Sequence, residues 1–176
     1  MKFIDYLEKK RRDKPKPKLE NWLHPWALIA TFFWMGRGPF VPGIWGSIAA
    51  LPFGWLIMHN FGVTGLLIAI VAVTIIGTIA SNWVERTSVT HDASLIVIDE
   101  VAGVWIPLLI VPTTGEHWIA GYALSLFWFG FFDIIKPWPI GWVDKKVSGG
   151  FGVMADDLIA GVIALVCTYG CLLYFF

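Results

Sequence analysis

SLIVIDEVAGVWIPLLIVP, Ser94 to Pro112, is the stretch on which the fold turns. It is apolar enough to cross a bilayer, yet the adjacent carboxylates Asp99 and Glu100 lie within it. A charge inside the membrane costs about 2.5–3.5 kcal/mol on insertion scales, before any repulsion from a neighbour is counted. A segment that keeps two such groups side by side needs something that offsets the cost.

The rest of the chain shares the apolar character. Of its 176 residues, 57% are hydrophobic and 15% charged, and the mean hydropathy is +0.68. A soluble domain of this length has far more polar surface to show, so the composition points to an integral membrane protein. Four stretches, at 62–80, 95–112, 118–135 and 156–176, approach the ~20 apolar residues that cross ~30 Å of hydrocarbon. A fifth, IWGSIAALPFGWLIMH at 44–59, is short and carries Pro52 and Gly54. The aromatic stretch 22–43 is broken by Pro25, Pro39 and Pro42 and reads as an interfacial or re-entrant segment. The expected fold is all-α: a polytopic membrane helix bundle of about five transmembrane helices plus that N-terminal segment. Residues 1–20 form a basic cytoplasmic arm, and 21–176 a single membrane-embedded domain.

Charge orients the chain. Eight of the 13 basic residues precede residue 19, which places the N-terminus in the cytoplasm. With five spans, Arg37, Arg86, Lys136, Lys145 and Lys146 all fall on that same side. The opposite connections, near 60 and at 113–117, carry no Lys or Arg. The basic start is too long for a signal peptide and lacks a cleavage site after a short apolar core. It suits contact with anionic lipid headgroups, and not nucleic acid, since no folded platform accompanies it. Cys167 and Cys171, one helical turn apart in the last span, read as packing or lipid-facing residues.

With this topology the acids collect at one level. Asp99 and Glu100 lie four to five residues into their span, roughly 6–8 Å deep. Asp133 ends the fourth span, Asp156 and Asp157 open the fifth, and His91 and Asp92 end the loop before Ser94. Five carboxylates from three spans repel one another unless they are protonated or bind divalent cations. An all-oxygen set suits Mg²⁺, Mn²⁺ or Ca²⁺ better than zinc. The plainer reading, acids marking helix starts, fits Asp156 and Asp157 better than it fits Asp99 and Glu100.

Phosphate chemistry comes from what surrounds them. Lys136 follows Asp133 by three residues and shares its helix face, with Pro137 and Pro139 stopping the helix. GRGPFVPGIWGS, Gly36 to Ser47, feeds a helix N-terminus whose backbone at Gly43 and Gly46, with the Ser47 hydroxyl, suits an anion. A simple re-entrant turn explains those glycines equally well, and a snorkelling lysine explains Lys136. SGGFGVMADD, Ser148 to Asp157, reads as flexible backbone feeding an acidic helix start and is no P-loop. Carboxylates, lysine and anion-binding backbone at a membrane surface suggest Mg²⁺-assisted chemistry on a lipid phosphate.

Four blocks, PFVPGIWGSIAALP, HDASLIVIDEVAGVW, FFDIIKPWPIGWVD and GGFGVMADDLIAG, resemble those of the phosphatidylglycerophosphatase A family in order and spacing. The resemblance runs from about Pro25 to the end of the chain and leaves out the basic arm. It implies a bacterial inner-membrane, Mg²⁺-dependent phosphatase that converts phosphatidylglycerophosphate to phosphatidylglycerol and phosphate. Carried over by position, its acidic motif residues fall on Asp99, Glu100, Asp133, Asp156 and Asp157. Its lysine falls on Lys136, and its histidine–aspartate pair on His91 and Asp92. His91 is then a general acid or base, or a solvated histidine at the membrane surface.

Two positions depart from the pattern. Gly130 stands where the family usually has Arg, and Ile44 where it usually has Thr. Arg37, in the glycine-rich loop, is the candidate for the missing guanidinium. These departures keep open a relative acting on another lipid or prenyl phosphate. A cation carrier and a catalytically dead member are the further alternatives; the first is disfavoured because the acids sit at one face and line no path.

Overall fold

The computed structural model describes Leu19 and residues 21–38, 42–88 and 95–175. The basic arm and the His91–Asp92 pair lie outside the described residues. Among the described residues six α-helices carry the fold: α1 (Pro25–Ala30), α2 (Pro42–Thr87), α3 (Ile98–Leu108), α4 (Trp118–Ile135), α5 (Ile140–Lys146) and α6 (Gly149–Phe175). A 3₁₀ turn, Met35–Arg37, precedes α2. Among the described residues β-structure is limited to one antiparallel bridge, Leu19 to Ser88. Three of these described helices, α2, α4 and α6, are long and apolar enough to cross a membrane. The protein is an all-α membrane helix bundle.

At about 1.5 Å per residue a straight α2 would reach about 69 Å, twice the thickness of a bilayer core. It does not run straight. Gly62 takes φ 64°, ψ −166°, a conformation open essentially to glycine, and breaks α2 into arms 42–61 and 63–87. Both arms come back to one level: a Cβ at Gly46 would press on Val97, and one at Gly77 on Ile98. The other end of the first arm meets the chain after α3, where Trp55 Nε1 donates to the Thr113 carbonyl at 3.1 Å. α2 is therefore a helical hairpin, and the stretches 44–59 and 62–80 are its two arms.

The opening segment differs from its reading. The stretch 95–112 yields a helix of only 11 residues, Ile98–Leu108, preceded by an extended connection whose Val97 N–H donates to Ala30 O at 2.9 Å. Ile98 and every residue from Val101 to Leu108 are buried. Protein, not lipid, surrounds α3, so its length is not set by the hydrocarbon thickness. Trp105 lies over Gly54 and donates its indole N–H to Ala50 O at 2.8 Å. Where α3 meets α6, a Cβ on Gly161 would strike the Gly103 carbonyl, and one on Gly103 the Phe129 ring. Small residues bring three helices into close backbone approach, the packing mode favoured where lipid removes the usual hydrophobic drive.

The 22–43 stretch forms α1 and the 3₁₀ turn, with Ala27 and Ala30 fully buried against the bundle. Its turn, Phe32 to Trp34, has three successive left-handed residues. Thr31 Oγ1 accepts from Trp34 N–H at 3.1 Å, and Gly36 N–H donates to Thr31 O at 3.1 Å, which holds the turn.

Candidate active site

Helical periodicity aims the acids inward. On α4 the buried positions are Gly121, Tyr122, Ser125 and Phe129, and the four-residue step 121–125–129 continues to Asp133. On α6 the buried seam runs Gly150, Met154, Asp157, Gly161, Ala164, Thr168, alternating steps of four and three. Asp157 occupies a seam position and Asp156 stands beside it; they are 3% and 4% exposed. Asp99 and Glu100 form the first turn of α3, where Asp99 Oδ1 accepts from Glu100 N–H at 3.0 Å.

The readings of the two acidic pairs thus exchange. Asp99 and Glu100, expected within a span, are the helix-start acids. Asp156 and Asp157, expected to open a helix, lie two turns inside one. The cause is the start of α6. Gly149, with φ 79°, turns the chain, and Gly150 N–H donates to Asn82 Oδ1 of α2 at 2.8 Å. The Asn82 side chain serves as the cap of α6, so SGGFG is already turning into helix where flexible backbone was expected.

The structure gathers the five carboxylates. Asp157 lies within electrostatic reach of Asp99, Glu100, Asp133 and Asp156. Carboxylates grouped in this way repel one another unless protons or a cation offset their charge. Glu100 Oε2 accepts the Ser47 hydroxyl at 2.8 Å, with Gly43 O at 3.1 Å as the alternative acceptor. Gly43 itself lies against Glu100: a Cβ there would collide with Oε1. Gly46 packs on Val97, so of the two glycines only Gly43 touches the acids.

Lys136 ends α4 in a left-handed C-cap (φ 46°, ψ 56°) and reaches back with its ammonium. Nζ donates to Asp156 Oδ2 and, at 2.8 Å, to Asp144 Oδ1 of α5. Partial burial pulls the Lys136 pKa down, but the bonds to Asp144 and Asp156 outweigh it and the net shift is upward. Asp144 was not singled out in the sequence, although it closes the block FFDIIKPWPIGWVD; followed by Lys145 and Lys146, it reads as an ordinary surface charge. Arg37 is exposed, with its guanidinium 4.8 Å from the centre of the Trp22 ring.

A cleft of about 200 Å³ leads to this cluster. Ser47, Glu100 and Asp133 are its polar groups; Ile44, Leu126, Gly130 and Ile134 complete the lining. Both departures from the family pattern, Ile44 and Gly130, therefore lie on one cavity.

The donor set fits a hard divalent cation. It is all oxygen, and Asp156 Oδ1 is buried with no hydrogen-bond partner. Among the described residues no three acids converge into a ready-made cage. Mg²⁺ seldom uses one: it keeps waters and takes one or two carboxylates together with substrate phosphate oxygens.

Comparison with known proteins identifies the family. The family model of phosphatidylglycerophosphatase A matches residues 28–172. The chain is 38% identical over 157 residues to phosphatidylglycerophosphatase A of Escherichia coli, covering 89% of this chain and 87% of that protein. It is 36% identical over 148 residues to the Haemophilus influenzae protein of the same name, covering 84% and 88%. A relative from Bacteroides thetaiotaomicron, named "Putative phosphatidylinositol-3-phosphatase", is 37% identical over 146 residues, covering 80% and 89%. No solved structure matches the chain. Acids on three helices, a lysine tied into them and a family match over most of the length lead to one conclusion: the chain belongs to the phosphatidylglycerophosphatase A family and is a membrane phosphatase.

Proposed function

We propose that this protein removes the terminal phosphate of phosphatidylglycerophosphate, giving phosphatidylglycerol and inorganic phosphate, at the cytoplasmic face of a bacterial inner membrane. The observation that carries the reading is a cleft that ends on Ser47, Glu100 and Asp133 between otherwise apolar walls, with Asp99, Asp156, Asp157 and Lys136 grouped around those acids. Such a place receives a charged headgroup while its acyl chains stay in lipid. The placement of basic residues along the chain supports the cytoplasmic side.

Water attacks phosphorus, the bond to the glycerol oxygen breaks, and the alcohol leaves with a proton. One of Glu100 and Asp133, the acids that line the cleft, takes the proton of the attacking water and returns it to the departing glycerol oxygen. Ser47 holds Glu100 in place, and Lys136, kept protonated by Asp144 and Asp156, offers its charge to the phosphate. Asp99, Glu100, Asp133, Asp156 and Asp157 would hold Mg²⁺, which when bound would neutralise charge on the phosphate and on the developing alkoxide. Arg37 and the backbone of Gly43 and Gly46 complete the proposed phosphate contacts, and His91 and Asp92 are proposed as further catalytic groups. For Arg37 the check is direct: turnover and affinity unchanged in Arg37→Ala remove it from the site.

A second reading has its own observation. Ile44 and Gly130 face one cleft, and together they make it less polar and roomier than the family pattern implies. That favours a different lipid phosphate, and the inositol-lipid name of the Bacteroides relative points the same way. Phosphate release in detergent–lipid micelles, with and without Mg²⁺, separates the two. The panel is phosphatidylglycerophosphate, phosphatidic acid, a prenyl phosphate and phosphatidylinositol 3-phosphate. Mg²⁺-dependent release from the first alone supports the proposal; preference for another member supports the second reading; no release from any contradicts both.

A further inference from the structure

The cleft has a direction as well as a composition. On α4 its lining residues Leu126, Gly130, Asp133 and Ile134 stand at steps of four, three and one, a stripe beside the buried one. The opposite wall is the first turn of α2, with Ile44 and Ser47. α2 and α4 scarcely touch each other, whereas α6 packs closely against both and α3 closely against α2. The gap between α2 and α4 is therefore the weak seam of the bundle, and Glu100 of α3 stands behind it. Its outer rim is greasy: Ile44 is 43% and Ile134 56% exposed, flanked by the exposed Trp45 and Phe131. In a membrane helix bundle such side chains face acyl chains. At Gly130 a Cβ would meet nothing within 4 Å, so this point of the wall is open.

We propose that the seam between the start of α2 and the end of α4 is a lateral portal, through which a lipid phosphate passes from the bilayer to the carboxylates, and that Gly130 keeps it open. The occupant is the glycerol backbone and first acyl methylenes of a phosphate-bearing lipid, with the phosphate leading toward Glu100 and Asp133. This rests on the reading of the cluster as a lipid-phosphate site. Apolar walls leading to a polar floor suit an amphipathic substrate and are unsuited to a free polar metabolite, which would shed its water along Ile44 and Ile134 for no gain.

The test uses the full chain in vesicles, with Cys167 and Cys171 replaced by Ser, and a single cysteine at Gly130→Cys or, as a lipid-facing control on the same helix, Ala123→Cys. The rate of N-ethylmaleimide labelling is read with phosphatidylcholine alone, with added phosphatidylglycerophosphate or phosphatidic acid, and with free inorganic phosphate. The portal predicts at least fivefold slower labelling at position 130 with either phosphate-bearing lipid, none with inorganic phosphate, and no change at 123. Equal labelling with and without these lipids, or protection by inorganic phosphate alone, overturns it. As a second arm, Gly130→Leu should raise the KM for a long-chain lipid phosphate at least tenfold more than Ala123→Leu does; equal effects overturn the portal. Because labelling needs no turnover, a protein that binds these lipids but hydrolyses none of them contradicts the proposed function while leaving the portal standing.

Discussion

The ammonium of Lys136 is the pivot at the residue scale, since it links the end of α4 to α5 and α6 by ion pairs to Asp144 and Asp156. Lys136→Met leaves the buried Asp156 without a counter-charge. The expected loss is about 3 kcal/mol, the lower end for breaking a buried pair, because about a third of the Lys136 side chain is exposed. Adding Asp156→Asn should restore most of the melting temperature in detergent without restoring turnover; a single variant as stable as wild type would sink this account of the pair. Gly43 gives the second residue-scale prediction. An added methyl displaces the Glu100 carboxylate, so Gly43→Ala should lower kcat/KM by about 10²-fold, the scale of a misplaced catalytic group, with helicity intact by circular dichroism. Normal kinetics would show that Glu100 tolerates the shift. Asp99, Glu100, Asp133, Asp156, Asp157 and Lys136 were all legible in the sequence, because charge in an apolar context has few innocent explanations. Asp144 was not, because a helix end rich in lysine looks solvated until its fold partner is seen.

Among elements, the contrast between α3 and α4 shows where pattern reading works. The segment 118–135 corresponds to α4 because lipid contact imposes both its length and its apolar surface. The same apolar signature at 95–112 conceals an 11-residue helix, since burial by protein produces the same composition without the length requirement. The start of α6 was misread for another reason: its cap is Asn82, 68 residues earlier in sequence, which no local motif announces. Asn82→Ala should therefore lower stability by about 1 kcal/mol, the usual worth of a helix cap. Gly150→Ala should cost more, because its Cβ would press on the backbone of Thr78 and Asn82 and part α6 from α2. Thermal unfolding of both variants in the same detergent checks the order; Asn82→Ala proving the more damaging would contradict it.

For the whole molecule, the proposed functional feature is an acidic cluster assembled from α3, α4 and α6 behind a seam between α2 and α4. The hairpin turn at Gly62 allows both arms of α2 to reach the level of Val97 and Ile98, which puts Ser47 beside Glu100 and Asn82 beside Gly150. The excess of negative charge makes a cation part of the proposed working state, so chelation should abolish turnover and Mg²⁺ restore it; activity untouched by a chelator would count against that part. The most direct measurement compares phosphate release from phosphatidylglycerophosphate micelles by wild type, Glu100→Gln and Asp133→Asn at matched folding. The carboxylate account predicts release by wild type and a fall of about 10²–10⁴-fold in each variant, the range for loss of a positioned acid or base. Wild-type rates in both folded variants would contradict it.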